Sequence, residues 1–279
     1  MAENTRKYPK RIPYGMMNFV NVRERDCYYV DKTRFIEKIE DSNMFFFFIR
    51  PRRFGKSLTM SMLQHYYDVN DADKFDMLYK GLYIGDHPTP EHNKYLVIYL
   101  NFAVVNAELN NYRKGLDAHC NNAFNYFCDV YAQYLPDGIK EEMNRKDGAV
   151  DQLDFLCTEC KKAGQKIYLF IDEYDHFTNK ILAEPGCLDD YRSETHGTGY
   201  LRNFFDTIKA GTYSSIERVF VTGVSPVTMD DLTSGFNIGT NYTLNYDFNE
   251  MVGFTEQEVR DMLTYYTDFC NLHDYTIDE

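Results

Sequence analysis

Residues 44–49 read Met-Phe-Phe-Phe-Phe-Ile, a continuous apolar run closed by Asn43 on one side and Arg50 on the other. A strand made of these residues has no polar face to turn to water. It can be satisfied only in a sheet covered on both sides, the situation of a parallel sheet between two layers of helices. Residues 95–100, 167–171 and 219–223 repeat the pattern with β-branched and aromatic side chains. Helical spacing separates them, over 31–39, 57–67, 107–134, 153–162 and 201–209. This alternation predicts an α/β fold around a central parallel sheet. Residues 242–246 alternate apolar with polar and are expected as a fifth strand nearer an edge.

The first strand runs directly into Arg50-Pro51-Arg52-Arg53-Phe54-Gly55-Lys56-Ser57-Leu58 and then into a helix. Strand, loop and helix N-terminus together make a cradle for phosphate, because successive backbone N–H groups and the helix dipole point at the ligand. The general motif is G-x-x-x-x-G-K-[ST], in which lysine reaches the β and γ phosphates and the hydroxyl reaches magnesium. Gly55, Lys56 and Ser57 fit it. Arg50 occupies the first glycine position, where glycine is expected to relieve backbone strain.

A second motif points the same way. The strand at 167–171 ends in Asp172-Glu173. Two carboxylates at a strand end suit holding magnesium's water shell and acting on an attacking water. Asp172 is assigned to the metal with Ser57, and Glu173 to the water. The two motifs together predict binding of ATP and Mg2+.

Five stretches carry a family resemblance: Ile12-Pro-Tyr-Gly15, Tyr29-Val-Asp-Lys-Thr33, Arg50-Pro-Arg-Arg-Phe-Gly-Lys-Ser57, Phe170-Ile-Asp-Glu-Tyr-Asp175 and Thr222-Gly-Val-Ser-Pro226. The chain resembles the bacterial AAA-ATPase-like family from about residue 11 to residue 255. Arginine stands at the first loop position in that family too. The resemblance implies a three-layer phosphate-binding-loop fold and magnesium-dependent ATP hydrolysis. It implies a polar sensor of the γ-phosphate at Ser225, with Thr222 competing for the role. Arg52 and Arg53 either neutralise the γ-phosphate or pair with acids around the loop; Arg53 is placed with the catalytic residues. Family members often carry a C-terminal PD-(D/E)XK-type nuclease domain, so a nucleic-acid or protein client through such a missing domain is a further expectation, and a homo-oligomer is another. The alternatives are a nucleotide-gated interaction or regulatory module with little turnover, and the ATPase part of a nucleic-acid-processing protein.

The ATPase domain is expected over residues 1–254. Residues 255–279 are expected to begin a helical lid or C-terminal extension that the chain does not complete. Its helix has a strong start signal: Thr255-x-x-Glu258 forms a capping box, with Phe254 and Val259 placed for a hydrophobic staple. Val259, Met262, Leu263, Tyr266 and Phe269 then trace an apolar face that needs a partner.

Several other features exclude functions. A net charge of −13 opposes unspecific binding of nucleic acid by the whole surface. The charged N-terminus lacks the apolar core of a secretory signal and no later run is long enough to span a bilayer, which predicts a cytoplasmic protein without a membrane partner. Seven cysteines without a signal peptide predict reduced thiols, and Cys157 and Cys160 are expected on one side of a helix. Pro136-Asp137 followed by Glu159-Cys160-Lys161 spells a nuclease letter pattern, but the apolar residues around it recur at helical spacing, and such a site needs a strand. His87, His92 and His176 form no ligand cluster by spacing. The 24 Tyr and 21 Phe fall mostly at core positions of the expected elements.

Overall fold

The computed structural model describes residues 8–105, 112–176, 179, 199–225 and 238–271. Its five strands are β1 (Phe45–Ile49), β2 (Leu96–Asn101), β3 (Ile167–Asp172), β4 (Ile216–Gly223) and β5 (Thr240–Asn241). The helices are α1 (Phe19–Glu24), α2 (Phe35–Glu40), α3 (Lys56–Tyr67), α4 (Phe75–Tyr79), α5 (Tyr83–Asp86), α6 (Tyr112–Val130), α7 (Ile139–Met143), α8 (Gly148–Lys162), α9 (Tyr200–Gly211) and α10 (Glu256–Cys270). All strand pairs are parallel, in the order β2-β3-β4-β1-β5. All the strand ends therefore point the same way. The exits of β1, β4 and β3 stand side by side along one carboxyl edge, where ligands of open α/β sheets are bound.

The phenylalanine run divides between two cores by strand alternation. Phe45, Phe47 and Ile49 join β2, β3 and β4 side chains beneath α6, α8 and α9. Phe46 and Phe48 face the other way with Tyr168, Phe170 and Phe220, beneath α3 and the N-terminal helices. Phe46 lies stacked between Phe220 and Tyr242, with ring centroids 5.1 and 4.4 Å away, and Phe248 meets it edge-on at 4.8 Å. Each such aromatic pair adds about 0.5–1.5 kcal/mol to the burial itself. The result is the three-layer sandwich expected from the sequence.

The fifth strand is shorter than expected and lies upstream, at Thr240–Asn241 on the sheet edge. Local side-chain bonds end it. Asn241 Oδ1 accepts from the Thr243 N–H, the Thr243 hydroxyl accepts from the Ile49 N–H, and Asn245 Oδ1 caps a 3-10 turn at Tyr246–Phe248. These groups compete with the ladder for backbone donors. Helix α2 likewise begins four residues after its expected start, because Asp31 Oδ1 captures both the N–H and the hydroxyl of Thr33. Of the helix expected over 107–134, residues 107–111 lie outside the described residues, and α6 stops at Val130. Helix α8 starts five residues early and includes Glu159 and Lys161, so the nuclease letter pattern sits on a helix. Its Cys157 and Cys160 are buried free thiols, whose proton affinity burial raises.

The capping box of α10 is complete: Thr255 Oγ1 accepts from the Glu258 N–H, and Glu258 Oε2 accepts from the Thr255 N–H. The expected staple is open, with Phe254 68 % exposed. A different bond fixes the entry, from the Gly253 N–H to the Phe54 carbonyl at 2.8 Å. The Glu258 carboxylate also accepts both hydrogen bonds of the buried Lys32 ammonium, at 2.6 and 2.7 Å. The helix packs on the N-terminal segment: Tyr265 and Tyr266 lie against Tyr28 and bond the Lys10 backbone. No residue of α10 is fully buried. No helix among the described residues is long and apolar enough to cross a membrane.

Candidate functional site at the carboxyl edge

The loop leaving β1 makes its turn with two left-handed residues, Arg53 at φ 69° and Gly55 at φ 91°. Gly55 is the N-cap of α3, and at its angle a glycine is favoured. Arg50 needs no such conformation and is not among the residues of positive φ. The strain expected at the first position of the motif therefore lies three residues later. Arg50 has structural partners instead. Its guanidinium donates to the carbonyls of Ile49 and Thr243 and lies over the Phe48 ring, 4.4 Å from the centroid. Burial lowers its proton affinity.

Lys56, at the first turn of α3, is 6 % exposed. Its ammonium donates to the Pro51 carbonyl at 3.2 Å and lies 3.8 Å from Glu173 Oε1. Ser57 donates its hydroxyl to Asp172 Oδ2 at 2.8 Å, across 115 residues of sequence. Asp172 is 1 % exposed and accepts the Glu173 N–H at 2.9 Å, while the Tyr99 hydroxyl stands 3.5 Å away. Desolvation pushes the Asp172 carboxyl above the usual range, against the opposing pull of the Ser57 hydrogen bond. Desolvation raises Glu173 as well, and Lys56 opposes it. Glu173 holds a positive φ of 52°, costly for a residue with a Cβ and common at functional sites.

Arg52, Arg53 and Phe54 are exposed along the outer side of the loop, and Leu58 is partly buried against the α3 core. Among the described residues neither Arg52 nor Arg53 forms a salt bridge, although Arg52 attracts the Glu173 carboxylate at longer range. Thr222 is buried, with its hydroxyl donated to the Phe48 carbonyl. That bond occupies the donor a sensor would use. Ser225 follows the exit of β4, and Pro226 of the same motif lies outside the described residues.

Lys56, Ser57, Asp172 and Glu173 thus converge from two strands that are not neighbours. A cavity of about 510 Å³ adjoins the loop and is lined by Ile49, Arg50, Pro51, Thr243, Leu244 and Tyr246 among others, but by none of those four. It is a separate feature on the β5 side. The sequence assigned no role to Tyr99, nor to Tyr174 and Asp175 within the quoted Phe170–Asp175 motif. The last two were legible as the continuation of Asp172-Glu173, a third acid within four residues.

The family model described as "Predicted AAA-ATPase" matches residues 13–233. The chain belongs to the AAA-ATPase-like family. The matched span contains the loop over residues 50–57, the Asp172-Glu173 strand end and β4. Among curated proteins the chain is similar to an "Uncharacterized protein in vnfD 5'region" of Azotobacter chroococcum mcd 1, 26% identical over 253 residues. That alignment covers 90% of this chain and 44% of the relative, so the chain spans less than half the relative's length. No solved structure matches it. None of these comparisons gives evidence of a nuclease domain in the chain, and the helical setting of Glu159 and Lys161 agrees.

Proposed function

We propose that this AAA-ATPase-like chain binds ATP with magnesium at the carboxyl edge and hydrolyses it. The observation that carries this reading is the direct Ser57–Asp172 hydrogen bond beside the Lys56–Glu173 pair. A hydroxyl and a carboxylate are the hard oxygen donors that magnesium takes, so the residues fit the metal. When bound, the ion neutralises charge on the β- and γ-phosphate oxygens. The loop amides and Lys56 hold the phosphates. For this, Lys56 exchanges Glu173 and the Pro51 carbonyl for phosphate oxygens, which frees Glu173.

Glu173 then accepts a proton from the attacking water as the new O–P bond forms and the bridging oxygen departs with ADP. Its raised proton affinity brings it nearer the operating pH, as suits a general base. Arg53 neutralises γ-phosphate charge from the outer side of the loop, and Ser225 reads the γ-phosphate. Residues 1–254 make up the ATPase unit and α10 begins a lid.

The test pairs wild type with Glu173→Gln, which keeps size but accepts no proton. The variant should retain ATP- and magnesium-dependent thermal stabilisation and lose phosphate release by about 10²-fold or more. Wild-type release no higher than that of the variant, with stabilisation intact in both, would convert the reading to a nucleotide-gated module.

A further inference from the structure

Beyond Glu173 the chain continues into Tyr174 and Asp175, both 1 % exposed. Asp175 sends its carboxylate across to the end of β4. Oδ1 accepts the Val224 N–H at 3.1 Å and Oδ2 accepts the Ser225 N–H at 2.7 Å. Asn179 Nδ2 donates to Oδ2 at 2.7 Å. Tyr174 makes two more bonds to the same stretch: its N–H donates to the Thr222 carbonyl at 3.2 Å and its hydroxyl to the Ser225 carbonyl at 2.6 Å. Four hydrogen bonds thus join the two residues after Glu173 to residues 222–225. A Cβ on Gly223 would meet the Asp175 carboxylate and come within 2.6 Å of the Tyr174 ring. The glycine is what lets the two strand exits approach.

The ladder alone would not do this. The β3–β4 pairing ends at Ile171 and Val221. Beyond it β4 stays paired with β1 through Gly223, while the chain after β3 turns away from the ladder and Glu173 leaves in a strained left-handed conformation. One carboxylate with two oxygens can take two successive amides in a fixed orientation, whereas an amide side chain offers a single acceptor oxygen.

We propose that Asp175 is a positioning residue, which with Tyr174 and Gly223 locks the chain after β4 to the turn carrying Glu173. Ser225 and Glu173 then meet the γ-phosphate as one unit. This inference rests on the ATP hydrolysis proposed above. It assigns Asp175 no contact with nucleotide, so it predicts a defect in turnover without one in binding.

The experiment uses the full chain with Asp175→Asn, and Tyr174→Phe as a milder variant that removes only the hydroxyl bond. In the absence of nucleotide, hydrogen exchange at the Val224 and Ser225 amides should rise at least tenfold in Asp175→Asn, with β3 and β4 amides unchanged. With magnesium, ATP affinity should stay within about twofold of wild type. The kcat should fall by about 10–10²-fold with KM little changed, the size expected when a catalytic group is misplaced by an ångström. ADP with aluminium fluoride, a mimic of the transferring phosphoryl group, should bind more weakly while ADP alone binds as before. Tyr174→Phe should show the same pattern at smaller size, and keeps the test open if Asp175→Asn does not fold. Unchanged exchange at 224 and 225, or kcat equal to wild type, would overturn the proposal. So would a loss of ATP affinity parallel to the loss of kcat. If wild type neither binds nor hydrolyses ATP while exchange at 224 and 225 rises as expected, the ATP reading fails and the lock is only structural.

Discussion

The two ends of the sheet both bury charge, and they handle it differently. At the amino end, Glu40 Oε1 accepts the hydroxyls of Tyr67 and Thr89 at 3.0 and 2.8 Å, and the Tyr66 hydroxyl accepts the Thr89 N–H at 2.8 Å and shares a hydrogen bond with the Thr89 hydroxyl at 2.9 Å. Arg218 donates to the carbonyls of Ile39 and Glu40. At the carboxyl end the Lys56 ammonium has a 3.2 Å carbonyl and a carboxylate at 3.8 Å, and two arginines of the same loop form no salt bridge among the described residues, although Arg52 attracts the Glu173 carboxylate at longer range. Three residues there, Arg53, Gly55 and Glu173, hold positive φ. Burial raises the proton affinity of Glu40 as it does that of Asp172 and Glu173. A perturbed acid therefore does not by itself mark a site. What separates the ends is backbone strain together with cations held by long contacts, a combination that fits the anionic ligand proposed above.

If this contrast is right, removing a group at the amino end costs stability and leaves nucleotide binding alone. Glu40→Ala leaves the Tyr67 and Thr89 hydroxyls without their acceptor, at about 1–3 kcal/mol each. A loss of about 2–6 kcal/mol in denaturant unfolding is expected, with ATP affinity within twofold of wild type. A larger effect on ATP than on unfolding would break the comparison.

At the other end the pattern should invert. Lys56→Ala should leave unliganded stability nearly unchanged, because the pair it breaks is long. It should abolish ATP-dependent stabilisation. For wild type at ATP a hundred times its Kd that stabilisation is about 2.7 kcal/mol, or a Tm rise of roughly 5–10 °C for a chain of this size. An undiminished rise in Lys56→Ala would remove the nucleotide from this loop.

Arg50 tests where the boundary between the two behaviours runs. It lies in the loop motif, yet its guanidinium serves carbonyls of β1 and the chain after β5 and covers Phe48. Arg50→Gly should cost about 1–3 kcal/mol of stability, from charged hydrogen bonds and ring contact, without improving ATP affinity. A clear gain in affinity would mean that the arginine obstructs a site built for glycine.

The sequence was informative wherever a single element decides the outcome. Apolar runs located four strands to within a few residues, because a strand buried on both faces has no alternative environment. The capping box of α10 was legible because its bonds are local. What escaped the sequence depends on distant partners or on side chains competing for backbone. The fifth strand was misplaced because Asn241, Thr243 and Asn245 redirect the chain. The location of loop strain at Arg53 and not Arg50, and the pairing of Glu258 with Lys32 across 226 residues, follow only from the assembled fold. The same holds for the role of Asp175, whose partners just after β4 stand 49 and 50 residues away.

The smallest expected effect concerns Asp172 and comes from its titration. Desolvation holds its folded-state proton affinity above the unfolded value. Between the two values the folded chain binds more protons than the unfolded one, so stability falls as pH rises through that window, and the cost persists at neutral pH. Asp172→Asn removes the buried charge and keeps an acceptor for the Glu173 N–H. Without nucleotide it should therefore raise Tm slightly at pH 7, and the gain should shrink as the pH is lowered toward the ordinary carboxylate range, where wild type is protonated. The same variant should weaken the dependence of ATP binding on magnesium, because the carboxylate paired with Ser57 is gone. The check is a Tm series from pH 4 to 8 on both proteins beside ATP titrations with and without magnesium. A variant less stable than wild type at every pH, with its magnesium dependence intact, would place Asp172 with Glu40 among the structural acids and erase the distinction between the two ends at that residue.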